Sequence, residues 1–214
     1  MRILAAADIH GVLSVYEWLV GLVQEQHADL LVLAGDLFAG GWEEEQRRQA
    51  QKIIPLLKRA PVPLLYLMSN DDFVALGYQD ERIQHLHGKR LEFGGHNFVG
   101  YEYSLPFVGT IYVKSESEME KDLREIEPLL DGQTVLVTHS PAFGTLDRVY
   151  GGRHVGSRSL AALIERKPVL AHIHGHIHES FGRDGNHFNV AAAGGRRAVM
   201  IDLPSLDHKV FQDR

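Results

Sequence analysis

The chain has 214 residues, of which 44% are apolar, and this size fits one α/β domain over residues 1–214 with a sizeable buried core. A formal net charge of −6 excludes a broad basic face for duplex nucleic acid, and the absence of cysteine excludes disulfides and thiolate ligands. No apolar run approaches the roughly 18 residues that span a bilayer. The N-terminal run stops at Asp8, too early for a signal peptide. We therefore expect a soluble, cytoplasmic protein without a membrane partner.

The first half of the chain alternates apolar runs with amphipathic segments. The apolar runs predict buried strands at Ile3–Ala7, Leu30–Ala34 and Leu64–Met68. A helix is expected over about Ser14–Gln26, with Ser14 and Glu17 forming a capping box at its start. A second helix fits about Glu43–Arg59, acidic at its start and basic at its end, with Pro55 as a site for a kink.

The pattern changes in the middle of the chain. Short runs between Ile83 and Val113 are separated by glycines and predict antiparallel strands and hairpins. The alternation then resumes, with helices expected at about Glu116–Leu130 and Ser157–Arg166. Further strands are predicted at Thr134–Thr138, Val169–Ile173, Phe188–Val190, Ala198–Asp202 and Lys209–Phe211. This order of elements predicts an α/β fold of two packed sheets with helices on the outside.

Side chains that can bind metals follow five of the predicted strands. They are Asp8, His10, Asp36, Asn70, His139, His176 and His178. Because ligands bind beyond the carboxyl ends of strands in open α/β sheets, these side chains are expected to meet at one edge. An extended backbone would direct His176 and His178 to the same side.

The number and type of these ligands point to two cations. The set exceeds what one ion needs, and Asp, His and Asn suit divalent manganese, iron or zinc without discriminating among them. Asp36, arriving from a neighbouring strand, can bridge two ions through its two oxygens. Paired cations about 3.5–4 Å apart make hydroxide available near neutral pH and neutralise charge at phosphorus. A phosphoester is therefore a suitable substrate.

The order of the blocks resembles the calcineurin-like metallophosphoesterases: Asp-x-His, Gly-Asp, Asn-x-Asp, a strand-end His and Gly-His-x-His. The resemblance touches nearly the whole chain and implies a two-sheet αββα sandwich. It implies that the first metal is held by Asp8, His10, Asp36 and His178. It implies that the second metal is held by Asp36, Asn70, His139 and His176. Asp36 would bridge the metals, and a metal-bridging hydroxide would attack phosphorus.

A finer resemblance lies in residues 138–148, 152–156 and 175–179. These segments resemble the metallophosphoesterase-domain proteins of animal brain and their bacterial relatives. That branch is associated with phosphodiesterase activity, including activity on cyclic nucleotides. Some of its animal members carry glycine where this chain has His176 and are weak enzymes, so the histidine favours a competent site. The resemblance thus implies a phosphodiesterase that acts on a small phosphoester or nucleotide.

One block departs from the family pattern. The family has Gly-Asn-His-Asp or Gly-Asn-His-Glu where residues 69–72 here are Ser-Asn-Asp-Asp. Asp71 replaces the imidazole that is associated with protonating the leaving group, and a carboxylate beside two cations is ionised and a poor acid. We therefore expect alkyl esters to be hydrolysed slowly and aryl esters to suffer less. Equal rates for both would indicate another acid, for which His154 is the candidate.

Residues around the predicted ligands have expected roles of their own. Substrate contacts are expected from Asn70 and from the long loop that carries Arg148, Arg153 and His154. Solvated charge and loop packing explain the three loop residues about equally well. His172 and His174 are expected to be structural or to support the metal ligands. Asp72 is expected to orient Asn70 or to cap a following short helix.

Two other functions remain open. The fold could serve as a non-catalytic binding or scaffold module, as it does in the retromer subunit that shares it. Loss of the usual imidazole at Asp71 favours that alternative, whereas the complete ligand set opposes it. A phosphomonoesterase such as a protein phosphatase is less attractive, because the chain is short and has no obvious insertion for docking a protein substrate.

Overall fold

The computed structural model describes residues 1–76, 81–107 and 112–213. Its strands are β1 (Arg2–Ala6), β2 (Leu30–Ala34), β3 (Leu64–Leu67), β4 (Ile83–His85), β5 (Arg90–Phe93), β6 (His96–Tyr101), β7 (Thr134–Thr138), β8 (Ala171–His174), β9 (Gly182–Asp184), β10 (His187–Asn189), β11 (Arg197–Asp202) and β12 (Asp207–Gln212). Its α-helices are α1 (Leu13–Glu25), α2 (Glu43–Leu57), α3 (Glu116–Ile126) and α4 (Arg158–Arg166). Single 3₁₀ turns lie at Glu127–Leu129 and His178–Ser180.

Within these ranges the strands form two mixed sheets of six strands each. The first sheet has the order β12-β11-β1-β2-β3-β4, and the second has the order β5-β6-β7-β8-β10-β9. In the first sheet β1, β2 and β3 are parallel. In the second sheet β6, β7 and β8 are parallel. The carboxyl ends of each parallel set therefore lie at one edge of its sheet.

Three apolar layers hold the sheets and helices together. Successive side chains of a strand point to opposite faces, so Leu4 and Ala6 of β1 pack toward α1 and α2. Ile3 and Ala5 pack between the two sheets. A third layer, which includes the fully buried Tyr101, fills the space between the second sheet and helices α3 and α4. The predicted α/β two-sheet sandwich with outer helices is confirmed.

Helices α1 and α3 have ends that differ from the prediction for reasons visible in the local sequence. Helix α1 begins at Leu13, its N-cap Val12 makes no side-chain capping bond, and Ser14 lies inside the first turn. The predicted capping box at Ser14 is therefore wrong. Helix α3 ends at Ile126, before Leu130, because Pro128 has no N–H for a further helical bond and the chain tightens into a 3₁₀ turn.

The strand region after residue 83 is only partly antiparallel. Strands β5 and β6 form the predicted antiparallel hairpin, with the turn at Gly94 and Gly95. Strand β4 instead runs parallel to β3, which corrects the prediction for this segment. Residues 108–111 of the predicted strand region lie outside the described residues. In the described ranges, no helix has the length and apolar character needed to cross a membrane.

Candidate metal centre

All seven predicted metal ligands meet beyond the carboxyl ends of β1, β2, β3, β7 and β8. Three groups of side chains could each hold a metal ion, because within each group the ligand atoms lie within 4.8 Å of one another. These groups are Asp8 with His10 and His178, Asp8 with Asp36 and His139, and His10 with Asp36 and Asp71. The parallel strands thus bring together residues that are up to 170 positions apart in the chain. Their assignment as ligands stays a prediction.

The first half of the centre is built around Asp8. This carboxylate is fully buried, and its Oδ1 lies 3.1 Å from Nε2 of His178. The backbone N–H of His176 donates to Oδ2 of Asp8 at 3.0 Å. The ring of His10 packs edge-on against that of His178, with 5.5 Å between centroids. Asp8, His10 and His178 therefore present one carboxylate and two imidazoles to a common point.

The second half is built around His139, whose side chain is fully buried. Its Nδ1 donates to the carbonyl oxygen of Ala34 at 2.9 Å, and this fixes the ring. Its Nε2 then faces Oδ1 of Asn70 at 3.0 Å, while the ring of His176 packs against it with centroids 4.9 Å apart. In neutral His139 both facing atoms are hydrogen-bond acceptors, an arrangement that suits a shared cation.

Asp36 lies between the two halves. Its Oδ2 is 3.9 Å from Nε2 of His10, and its Oδ1 is 3.7 Å from Nε2 of His139. Ser69 holds this carboxylate, since its hydroxyl donates to Oδ1 and accepts from the N–H of Asp36 at 2.7 Å. Gly35 allows the close approach, because a Cβ at that position would lie 2.6 Å from Nδ1 of His139. This geometry suits the bridging position that the resemblance implies for Asp36.

Left-handed backbone recurs at the predicted ligands. Asp8, His10, Asp36 and His176 have φ values of 55°, 50°, 51° and 71°. Such conformations are unfavourable for residues with a Cβ, and they cluster where function over-determines the local geometry. The φ of His176 also corrects the prediction of an extended backbone here. Its ring turns toward His139, whereas the ring of His178 turns toward His10, so the two residues serve opposite halves.

Burial and close charges set the protonation of the centre. Burial raises the pKa of Asp8, but the hydrogen bond from His178 and the neighbouring imidazoles outweigh it and lower that pKa to about 2. Burial raises the pKa of Asp36, against the opposing effect of His139. Burial together with His139 lowers the pKa of His176 to about 3. A neutral imidazole is the form that binds metal ions.

The donor set fits two divalent cations. Four imidazoles, two carboxylates and one amide oxygen are ligands that manganese, iron and zinc accept, and the set contains no soft thiolate. Supporting contacts complete the arrangement, because the carbonyl of Ala34 and the hydroxyl of Ser69 orient ligands from behind. The hydroxyl of Ser104 also donates to Oδ1 of Asn70 at 3.3 Å.

The two aspartates after Asn70 have different surroundings. Asp71 is partly exposed, and its Oδ2 lies 3.9 Å from Nδ1 of His10. Asp72 is fully buried and accepts from the backbone N–H groups of Leu37 at 2.9 Å and Phe38 at 3.0 Å. It therefore fixes the loop after β2, which corrects the expectation that it orients Asn70. The expected cap of a following short helix is not tested, since residues 77–80 lie outside the described residues.

The predicted loop residues lie on a hairpin beside the centre. His154 and Arg153 line a cavity of about 310 Å³ together with His176, Ser140, Leu105 and Phe107. Arg148 lies outside this lining, and its Nε donates to Nε2 of His154 at 3.1 Å. Nδ1 of His154 faces Oδ1 of Asp147. In this arrangement Nε2 of His154 carries no proton. His154 could act as an acid only if the hydrogen bond from Arg148 to Nε2 were broken.

Two further histidines support the strand that precedes His139. Nε2 of His172 lies 2.8 Å from the hydroxyl of Thr138, which donates to the carbonyl oxygen of Ser140. His174 is fully buried, and its ring centroid lies 5.0 Å from that of His172. These contacts agree with the structural role expected for both histidines.

Several residues that build the site were missed from the sequence. Ser69 directly precedes Asn70 at a strand end, and its position was a usable signal. Ser104 carries no such signal, because it acts on Asn70, which lies 34 positions away in the chain. Asp147 acts on His154 only 7 positions away, but their contact depends on the path of the loop between them.

The fold and the strand-end side chains indicate the class of the metallophosphoesterases. Residues 1–180 match the model of the calcineurin-like phosphoesterase family, and the chain belongs to that family. Over 100 residues the chain is 31% identical to UPF0046 protein K07C11.7 of Caenorhabditis elegans. That alignment covers 47% of this chain and 33% of the relative, so the match spans one third of the length of that relative.

Solved structures share the fold over nearly the full length. TT1561 of Thermus thermophilus aligns with a TM-score of 0.75 at 18% identity, over 99% of this chain and 98% of that chain. A dimetal phosphatase from Danio rerio aligns with a TM-score of 0.66 at 12% identity, over the same shares of the two chains. At such identities the similarity concerns the fold, and the activity of this chain must be argued from its own site.

Proposed function

We propose that this protein is a phosphodiesterase that hydrolyses small phosphodiesters, with cyclic nucleotides among the candidate substrates, using two divalent cations such as Mn²⁺. The observation that carries the proposal is the place of Asp36 between two imidazole-rich halves, within 3.9 Å of His10 and 3.7 Å of His139. When bound, the cations supply an activated water and neutralise charge on the phosphoryl oxygens. Asp8, His10, Asp36 and His178 would hold one cation, and Asp36, Asn70, His139 and His176 the other.

The protein's own residues orient these groups. Ser69 and Ala34 hold Asp36 and His139 from behind, so that the ligand atoms face inward before a cation arrives. Asn70 follows β3 and directs Oδ1 toward His139, so its amide nitrogen is the atom that would contact a phosphoryl oxygen of the substrate. Little reorganisation is then needed when substrate binds, and such preorganisation is the main source of electrostatic catalysis.

The cavity beside His176 favours a diester over a monoester. It has a volume of about 310 Å³, and its lining combines the apolar Leu105 and Phe107 with Arg153 and His154. The ring of Phe107 packs edge-on against that of His176, with 5.2 Å between centroids. A monoester would fill the cation site alone, whereas the second substituent of a diester could occupy this adjoining space.

The leaving group is expected to limit the rate. Asp71 stands at the position of the usual imidazole, and Nε2 of His154 accepts a hydrogen bond from Arg148. In this geometry Nε2 of His154 has no proton to donate to the leaving group. Hydrolysis of aryl diesters should therefore exceed that of alkyl diesters by the difference in leaving-group basicity.

The test is hydrolysis of bis-(p-nitrophenyl) phosphate by metal-stripped protein, with and without Mn²⁺. We expect Mn²⁺-dependent turnover that Asp36→Asn reduces by at least about a hundredfold, because even supporting residues of metal sites are worth roughly 10–100-fold. Asp184→Asn, an exposed carboxylate on β9, is the matched control and should leave the rate unchanged.

Other outcomes identify the alternatives. Turnover of p-nitrophenyl phosphate that greatly exceeds turnover of the diester would indicate a phosphomonoesterase. A folded protein that hydrolyses neither ester with manganese, iron or zinc would indicate a binding or scaffold module.

A further inference from the structure

The hairpin that carries Arg148 is fastened to the metal-ligand segment at two points. The backbone of Arg148 donates to the hydroxyl of Ser180 at 3.1 Å, and that hydroxyl donates back to the carbonyl of Arg148 at 2.8 Å. Ser180 belongs to the same 3₁₀ turn as His178. The amide of Asn189 joins the carbonyls of Leu146 and Ile177 at 3.4 and 2.8 Å. Arg148 is thus held beside the predicted ligands.

A buried carboxylate organises the hairpin. Asp147 is fully buried, and its Oδ2 accepts from the N–H groups of Gly144 at 3.0 Å and Gly156 at 2.9 Å. Its Oδ1 is left to face Nδ1 of His154. Burial raises the pKa of Asp147, but the hydrogen bonds from His154 and the two glycines outweigh it and hold that pKa below its ordinary value. Asp147 therefore remains an anionic acceptor at neutral pH.

The contacts determine where the ring proton of His154 lies. Nε of Arg148 can only donate, so Nε2 of His154 must accept its hydrogen bond at 3.1 Å. The ring proton is then on Nδ1, which donates to Asp147. A directional chain results, in which Arg148 donates to His154 and His154 donates to Asp147.

These hydrogen bonds leave the two terminal nitrogens of the Arg148 guanidinium available. Within the described ranges the two terminal nitrogens of Arg148 make no hydrogen bond or ion pair, and the residue is exposed. The bond through Nε fixes the plane of the guanidinium, and the terminal nitrogens form a fork that matches phosphate oxygens. Arg153 lines the adjoining cavity and adds positive charge to it.

We propose that Asp147 and His154 are positioning residues that hold the guanidinium of Arg148 so that its terminal nitrogens bind a phosphate group of the substrate. The inference rests on the proposed function, because it concerns the substrate of the same site. The bound phosphate is either the group that is hydrolysed or a second phosphate on the same substrate molecule. A pair of substrates, with and without the second phosphate, distinguishes these two possibilities.

The substrates are thymidine 5′-(p-nitrophenyl phosphate) with and without a 3′-phosphate. Arg148→Lys should raise KM about tenfold with kcat nearly unchanged, because lysine keeps the charge but loses the fork. An increase for both substrates would identify the hydrolysed phosphate as the bound group. An increase only for the 3′-phosphorylated substrate would identify the second phosphate. Arg183→Lys on β9 is the matched control and should change neither KM. An unchanged KM for both substrates in Arg148→Lys would overturn the proposal.

The positioning role is tested at His154. His154→Phe should raise KM as much as Arg148→Lys does, whereas His154→Gln should retain most of the affinity, since its side-chain oxygen can accept from Arg148. If His154 acts through Arg148, the double variant His154→Phe/Arg148→Lys should be no worse than Arg148→Lys alone. Effects that multiply, or no rescue by glutamine, would show that His154 only packs the loop.

A measurement independent of turnover separates this inference from the proposed function. Nitrogen NMR of the Zn²⁺-loaded protein should report the Nδ1–H tautomer of His154, and Asp147→Asn should shift it toward the Nε2–H form. Inorganic phosphate should perturb the ring signals of His154 in the wild type and not in Arg148→Lys. Absence of both effects overturns the positioning role even if the enzyme hydrolyses diesters. Their presence in a protein without turnover would refute only the proposed function.

Discussion

The strand-end edge and the hairpin of residues 147–155 supply different parts of the same site by different means. At the edge, parallel strands bring together predicted ligands such as Asp8 and Asp36, and buried groups hold them. In the hairpin, one buried carboxylate, Asp147, organises the loop through His154 and two backbone N–H groups. The edge therefore depends on the whole core, whereas the hairpin depends on a few hydrogen bonds and can be altered separately.

The largest effect is expected where the edge is most tightly packed. In Gly175→Ala the new Cβ would meet Oδ2 of Asp8 and lie 2.5 Å from Cβ of Ala7, so Asp8 must shift. We expect a loss of about 1–3 kcal/mol in the free energy of unfolding from overpacking. The rate of diester hydrolysis should fall by at least roughly tenfold, in line with displaced groups at metal sites.

Urea denaturation and kinetics would check this substitution. Gly21→Ala in α1 is the control, because nothing lies within 4 Å of the added Cβ. Replacing glycine inside a helix should stabilise the protein by about 0.5–1 kcal/mol. If Gly175→Ala lowered neither the stability nor the rate, Gly175 would not lie this close to Asp8.

A smaller effect is expected at the junction of the edge and the hairpin. Asn189→Asp keeps the shape of the side chain but removes the N–H groups that reach Ile177 and Leu146. The carbonyl of Leu146 then loses this bond, while that of Ile177 keeps only its bond from the N–H of Ser180. The loss should cost about 1–3 kcal/mol, and the looser hairpin should raise KM. Asn186→Asp is the matched control, because Asn186 also donates to two carbonyls, those of Val169 and Leu170. It should lose stability and keep its KM, and a raised KM in both variants would contradict a specific link to the hairpin.

The smallest effect is expected at Glu116, which binds the start of α4 where the chain leaves the hairpin. The carboxylate of Glu116 accepts from the hydroxyl of Ser157 at 2.7 Å and from the N–H of Ser159 at 2.6 Å. Burial raises its pKa, but these hydrogen bonds outweigh it and bring that pKa below the ordinary value of 4.5. Glu116→Gln should cost about 1 kcal/mol at pH 7, a modest amount because the group is partly exposed.

The pH dependence of that loss follows from the direction of the shift. A depressed folded-state pKa stabilises the protein fully above the unfolded value of 4.5, and this contribution disappears as the pH falls through the folded value. Thermal unfolding of wild type and Glu116→Gln should therefore differ at pH 7 and converge in acid. A difference that persists below both values would assign the effect to packing instead of charge.

The sequence predicts the edge well and the hairpin poorly. Buried parallel strands are continuous apolar runs, so β1 and β2 and the residues that follow them can be recognised directly. The left-handed backbone at His176 cannot be read from residue type, and it decides that His176 and His178 serve different halves. The short distance in sequence between Asp72 and Asn70 predicts a contact between them. Asp72 instead accepts hydrogen bonds from the loop after β2, through backbone N–H groups that almost any residue could supply. Contacts of this kind depend on the folded path of the chain.

In the proposed centre, seven strand-end side chains hold two cations, with Asp36 between them. Equilibrium dialysis of the metal-stripped protein against Mn²⁺ tests it without reference to a substrate. Wild-type protein and Asp184→Asn should each bind two ions tightly per chain, and Asp36→Asn should bind fewer than two. Saturation at one ion or none in folded wild-type protein, or two ions in Asp36→Asn at unchanged affinity, would contradict it.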